Sequence, residues 1–357
     1  MYKAIRYIGS KQKVLNFLEE ELFSLIPKEG SFYEGFSGTG IISQYLTEKR
    51  KDLIISGGDL SNYAEILYSI LNANHLNVKK ENIINFVSLL KEEDFKNDGL
   101  FFNEFSENGI PKTYKESRLF FHEKTGKTID LYREKLNEKI KNKEISKEQS
   151  KVYLFYLMSY VCKMANTTSI FGAFLKTPPK YKPLNIEFIN SINEQLSEIY
   201  SSSSYKEFMN GDIISNLKKI KHKDIIYLDP PYSTRRYESN YHILNYVANL
   251  DFKVEEIKET KTGLPKFISD NPFGKKKETE TIFSEMILEG VLKSNLLAIS
   301  YNTDGLIKQN WIEDFCENNG LFLETKKLEY KRFKSNEIKN ENKLEEILWL
   351  IRAEQKK

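Results

Sequence analysis

Cysteine and histidine are scarce in this chain: two cysteines, Cys162 and Cys316, and four histidines among 357 residues. The thiols stand far apart and lack histidine partners, which argues against a disulfide framework and against a metal site. No apolar run approaches the roughly 18 residues of a membrane span, and the N-terminal residues do not read as a secretory leader. A cytoplasmic protein without a membrane partner is expected. An excess of one charge is also missing, since 54 Lys and Arg face 51 Asp and Glu for a net charge of +3. That balance permits a nucleic-acid partner without requiring one. No internal repeat is visible.

Hydrophobic residues make up 40% of the chain, enough to bury a full core. Val14, Leu15, Leu18, Leu22 and Leu25 recur at helical spacing, so an amphipathic helix is expected over Lys11 to Ile26, closed by Pro27 and Gly30. Next come a strand and small-residue turn in Ser31 to Gly40, a helix from Ile41, a second strand at Leu53 to Ser56, and a helix through Ile66 and Leu71. This β-α-β-α succession predicts a parallel sheet with helices on its faces. From about Leu76 to Met209 the alternation stops in a lysine-rich segment, read as an insertion, with an apolar helical run at Val152 to Met164. The rhythm resumes at Asp224 to Leu228 and Leu296 to Ser300, and Leu321 to Phe333 with Leu344 to Ile351 suggests a closing antiparallel hairpin.

In such a sheet, ligands sit beyond the carboxyl ends of the strands. After the first strand, Gly35, Gly38 and Gly40 let the backbone approach a ligand, or simply turn the chain. After the second, Asp59 stands where an acid takes both hydroxyls of a ribose, though aspartate at such a position also serves as a helix N-cap. Asp229-Pro-Pro-Tyr232 is more specific. Two prolines fix φ and remove N–H groups, so the Asp229 carboxylate and the Pro230 carbonyl form a rigid pair of acceptors, with the Tyr232 ring suited to stacking on a base. Such a set grips an exocyclic amino group. An aromatic amine is a poor nucleophile because its lone pair is delocalised into the ring, and two acceptors on its hydrogens favour the pyramidal form that frees it. A base in a duplex reaches such a pocket only if flipped out.

Tyr7-Ile-Gly-Ser-Lys11, Phe36-Ser-Gly-Thr-Gly40, Asp59, Asn210-Gly-Asp212 and Asp229-Pro-Pro-Tyr232 resemble, in this order, adenine-N6 DNA methyltransferases of the alpha, Dam-like group. The resemblance implies an α/β fold, a Rossmann-like class I methyltransferase sheet with an inserted, mostly helical target-recognition region. It implies a catalytic domain of residues 1–75 and 209–357, recognition by residues 76–208, and S-adenosylmethionine as methyl donor. Residue by residue, it implies Tyr7 and Lys11 near the donor's methionine end, with Phe36, Ser37, Gly38 and Gly40 beneath it. It further implies Asp59 on the ribose, Asp212 near the donor's adenine, and Asp229, Pro230 and Tyr232 on the target base. Gly9-Ser10 stands where many relatives have two glycines.

Asn166 to Lys176 and Arg235 to Leu244 resemble the restriction-modification members of the group, which points Lys176, Arg235 and Arg236 toward double-stranded DNA. A cognate endonuclease would then share the site without being bound. His242 reads as a packing residue and Lys275-Lys-Lys277 as a solvated charge run. Cytosine-N4 methylation, guanine-N2 methylation of ribosomal RNA, and DNA binding without turnover remain alternatives.

Overall fold

The computed structural model describes residues 11–202, 204–232, 237–267, 271–330 and 344–354. Seven strands form one sheet: β1 Ser31–Gly35, β2 Ile54–Asp59, β3 Glu207–Asn210, β4 Lys223–Leu228, β5 Ser294–Asn302, β6 Leu321–Tyr330 and β7 Leu344–Ala353. Their order is β3-β2-β1-β4-β5-β7-β6. The first five run parallel, and β7 lies antiparallel between β5 and β6. The arrangement is the Rossmann-like methyltransferase sheet expected from the sequence, including the closing hairpin.

The run Ile225 to Leu228 takes the central position because a strand covered on both faces reads as continuously apolar, and all four residues are buried. β1 is flanked by β2 on one side and β4 on the other, so the strand order reverses there. Beyond the carboxyl ends of strands at such a reversal, open α/β sheets bind their ligands. Tyr33, Ile226, Leu228, Leu297, Ile299, Phe283, Met286 and Trp349 form the core of this unit.

Contacts divide the chain into two compact units: the described residues of 11–60, 206–235 and 270–357 carry the sheet, and those of 61–205 and 236–269 carry most of the helices. Two details differ from the sequence expectation. Glu207 and Phe208, read as the end of the inserted segment, belong to β3 and pair with β2, because Phe208 and Met209 supply a short apolar edge that local periodicity does not reveal. Lys11 to Ile26 is also not one helix: 3-10 turns at Lys11–Lys13 and Phe23–Leu25 bracket an α-helix of Leu15–Glu21.

Within the helical unit, the run at Val152 lies in the helix Lys147–Met164, which starts where it does because Ser146 and Gln149 form a reciprocal capping box. This unit also buries Arg118 against Glu104 at 2.8 Å, and further Arg118 bonds to Thr113 Oγ1 and to the carbonyls of Glu104 and Thr260 satisfy the guanidinium. Among the described residues, no helix is long and apolar enough to cross a membrane.

Candidate active site

The first part of the site is the turn after β1. Phe36, Gly38 and Gly40 all take positive φ, at 58°, 51° and 64°. Glycine accepts this region at no steric cost, whereas Phe36 is held there against its preference. What holds the turn is β2. Ser37 donates its N–H and hydroxyl to the Gly58 carbonyl at 3.1 and 3.3 Å, and Gly38 N–H donates to Asp59 Oδ2 at 2.9 Å. The Phe36 ring meets Phe273 edge-on at 5.5 Å. Gly40 is the N-cap of the helix Ile41–Lys49.

Asp59 closes β2, while the N-cap of the following helix Asn62–Ser69 is Ser61. The N-cap position thus falls to Ser61, and Asp59 Oδ2 accepts from Gly38 N–H. The Asp59 carbonyl accepts from Gly211 N–H at 3.0 Å, which ties the end of β2 to the start of the Asp212 turn. Asp212 does cap a helix: its Oδ1 accepts from Ser215 N–H at 2.9 Å, and the Ser215 bonds hold its carboxyl below the usual range. The carboxyl ends of three neighbouring parallel strands thus present a left-handed turn and two carboxylates.

The second part lies past β4. Asp229 is mostly enclosed, with 19% of its side chain accessible, and Lys11 Nζ sits 2.9 Å from its Oδ1. The contact is an ion pair without hydrogen-bond alignment, since Oδ1 has no hydrogen-bond partner among the described residues. Lys11 also donates to Glu346 Oε1 at 2.5 Å, and the same oxygen accepts from Ser300 Oγ at 2.5 Å. Burial pushes the Asp229 carboxyl up to about 6; the Lys11 charge opposes that rise and Glu346 adds to it. Burial would lower the Lys11 ammonium, but Asp229 and Glu346 outweigh it and hold the pKa well above the ordinary value. Pro230 is buried, and Tyr232, half-buried, meets Tyr301 edge-on at 6.2 Å.

Sequence reasoning missed three residues here. Glu34, at the end of β1, accepts from Ser43 N–H and Oγ, and burial pushes its carboxyl to about 7. Glu346 and Ser300 were missed as well. The available signal was an acid inside an otherwise apolar strand, as in Phe32-Tyr-Glu-Gly35 and Glu346-Ile-Leu-Trp349, since buried carboxylates are rare unless paired.

Lys176 is exposed, in a loop that Asn166 folds by donating its side-chain amide to the carbonyls of Leu119, Leu175 and Thr177. His242 is buried with its ring nitrogens on the carbonyls of Ser239 and Thr262, and burial pushes its pKa down to about 4. It packs, as expected. Tyr7, Arg235 and Arg236 lie outside the described residues.

Residues 7–315 match the model of the D12 class N6 adenine-specific DNA methyltransferase family. The chain is 28% identical over 346 residues to the type II methyltransferase M.NlaIII of Neisseria lactamica, covering 95% of each. To M.CviAII of Paramecium bursaria Chlorella virus 1 it is 26% identical, covering 98% of this chain and 99% of that one. It is 29% identical to M.FokI of Planomicrobium okeanokoites, of which it spans 53%.

Proposed function

The chain belongs to the D12 class N6 adenine-specific DNA methyltransferase family, and on that premise we propose that Asp229, the Pro230 carbonyl and Tyr232 hold a flipped adenine of duplex DNA for methylation at N6. Family membership decides among the amines left open above: the substrate is adenine, rather than cytosine or the guanine of ribosomal RNA. Type II methyltransferase relatives support a further assignment as the modification arm of a restriction-modification system; a cognate endonuclease would then act on the same site without being bound.

The observation that carries the reading is the Asp229 carboxylate at the end of β4, kept partly accessible and ionised by Lys11 beside the strand reversal. Asp229 and the Pro230 carbonyl accept the two hydrogens of the amine, which turns its lone pair away from the ring, and Tyr232 stacks on the base. Asp229 is then positioned to hold the proton that the amine sheds. Tyr7, Lys176, Arg235 and Arg236 keep the roles that the resemblance assigns them.

The residues at the ends of β1 to β3 fit S-adenosylmethionine: a turn whose left-handed backbone lets a ligand approach closely, a carboxylate at Asp59 suited to ribose hydroxyls, and Asp212 beside it. When bound, S-adenosylmethionine would supply the electrophilic methyl group that the amine takes. Lys11, expected from the resemblance near the donor's methionine end, is paired to Asp229 and serves instead the amine side of the site. Residues 76–206, the inserted segment up to the start of β3, read the DNA sequence.

Asp229→Asn keeps the size but replaces a charged acceptor with a weaker one that presents a donor to the amine. Turnover is expected to collapse, while DNA affinity and its salt dependence stay near wild type because phosphate contacts lie elsewhere. Nucleoside analysis of treated DNA, with filter binding in parallel, tests this. N4-methylcytosine as the product, or a near-normal rate in Asp229→Asn, would break the reading.

A further inference from the structure

We infer that Glu346 is a positioning residue for methyl transfer: by sharing the Lys11 ammonium it restrains that cation to one oxygen of Asp229, leaving the other oxygen to accept from the target amine. The inference rests on the role of Asp229 argued above. Lysine is a poor positioning device by itself, because its charge rides on a flexible four-carbon stem. Glu346 is the opposite. It lies in β7 between two antiparallel neighbours, facing Asn302 of β5 and Leu328 of β6, and only 3% of it is exposed. Its Oε1 is shared by Ser300 Oγ and Lys11 Nζ, both at 2.5 Å. Ser300 is in turn fixed in β5, which pairs with β4 up to Leu228, the residue before Asp229. A chain of contacts therefore runs Ser300, Glu346, Lys11, Asp229, with every backbone in it but that of Lys11 set by or next to the sheet.

The charges give this chain its function. One ammonium is shared by two carboxylates, so Asp229 is never fully neutralised and keeps its strength as an acceptor. Without the Glu346 charge, the whole of Lys11 turns to Asp229. Among the described residues, no donor bonds to Asp229 Oδ2, which leaves that oxygen for substrate. The titratable groups that face Asp229 are Lys11 from the 3-10 turn, Glu346 from β7, Tyr227 from β4, Tyr232 just beyond it, and Glu34 from β1. Only Lys11 in this set is a cation.

The test is Glu346→Gln, which keeps shape and acceptor but removes the charge, with Glu346→Asp as the charge-preserving partner. In Glu346→Gln, kcat at neutral pH should fall roughly 10- to 100-fold, by analogy with the loss when the partner that orients a metal ligand is removed. KM for duplex DNA should stay within about twofold, and the acid limb of the kcat profile should move to lower pH, because the acid that raised Asp229 is gone. Glu346→Asp should keep the limb in place and recover part of the rate. An unmoved limb in Glu346→Gln, or a loss that Glu346→Asp shares in full, overturns the inference. If Glu346→Gln does not fold, Ser300→Ala leaves both charges and removes only the anchoring hydroxyl; a several-fold fall in kcat at constant KM is expected, and an unchanged kcat overturns it. Asp229→Asn measured alongside separates the two ideas. A near-normal Asp229→Asn ends the reading of Asp229 itself, whereas an inactive Asp229→Asn beside an unaffected Glu346→Gln ends only the role of Glu346.

Discussion

Removing Lys11 should move the pH dependence of methylation upward, and the size of that movement follows from the site. Lys11 Nζ stands 2.9 Å from Asp229 Oδ1 in an enclosed setting. At an effective dielectric of about 20, a charge pair that close interacts by about 6 kcal/mol. Glu346 takes part of this attraction, so the lower range of about 1–3 pH units, usual for a carboxylate beside a cation, is the better guide. Asp229 already titrates at about 6 because burial raises it and Lys11 only partly offsets that. With the carboxylate as the acceptor proposed above, activity should rise with pH through the folded value, and deleting the cation should shift that rise upward. In Lys11→Met the acid limb of kcat should therefore lie at roughly pH 7–9. At pH 7 a two-unit shift leaves about a tenth of Asp229 ionised, a loss of about tenfold that returns as the pH is raised. Single-turnover methylation of a duplex oligonucleotide between about pH 5 and 9.5, with saturating donor and circular dichroism to confirm the fold, measures it. The double variant Lys11→Met/Glu346→Gln should bring the limb back down, since the neighbouring acid has also lost its charge. A limb that stays near 6 in Lys11→Met, or moves below it, refutes the electrostatic account of Asp229.

Asp59→Ala should weaken S-adenosylmethionine by about 1.5–3 kcal/mol, the value of a charge-assisted hydrogen bond; titration calorimetry reads this, and an unchanged affinity would remove Asp59 from the ribose. Exchanging residues 76–206 for the matching segment of a relative with different specificity should change the sequence methylated, as read by single-base methylation sequencing. A chimera that keeps the original site would move sequence recognition elsewhere, with Lys258 to Lys277 the next stretch to exchange.

The local features of the protein were legible in the sequence because they depend on neighbours along the chain. Alternation of apolar runs and glycine turns marked β1, β2 and the helices after them, and the apolar run ending in Asp229 marked β4 and its rigid exit. Where local and long-range interactions compete, the tertiary structure decided. Asp59 could be a helix cap or a ligand by sequence, and only the tertiary structure puts Ser61 at the helix start and the Asp59 carboxylate on Gly38 N–H across two strands. β3 escaped because four residues at a sheet edge carry too little periodicity to stand out. Glu346 is the clearest case. Nothing near it in the chain explains a carboxylate in an apolar strand, since its partner Lys11 is 335 positions away. The antiparallel return of β7 beside β5 brings the two together over Asp229, and strand register of that range depends on the packing of the whole sheet rather than on any local pattern.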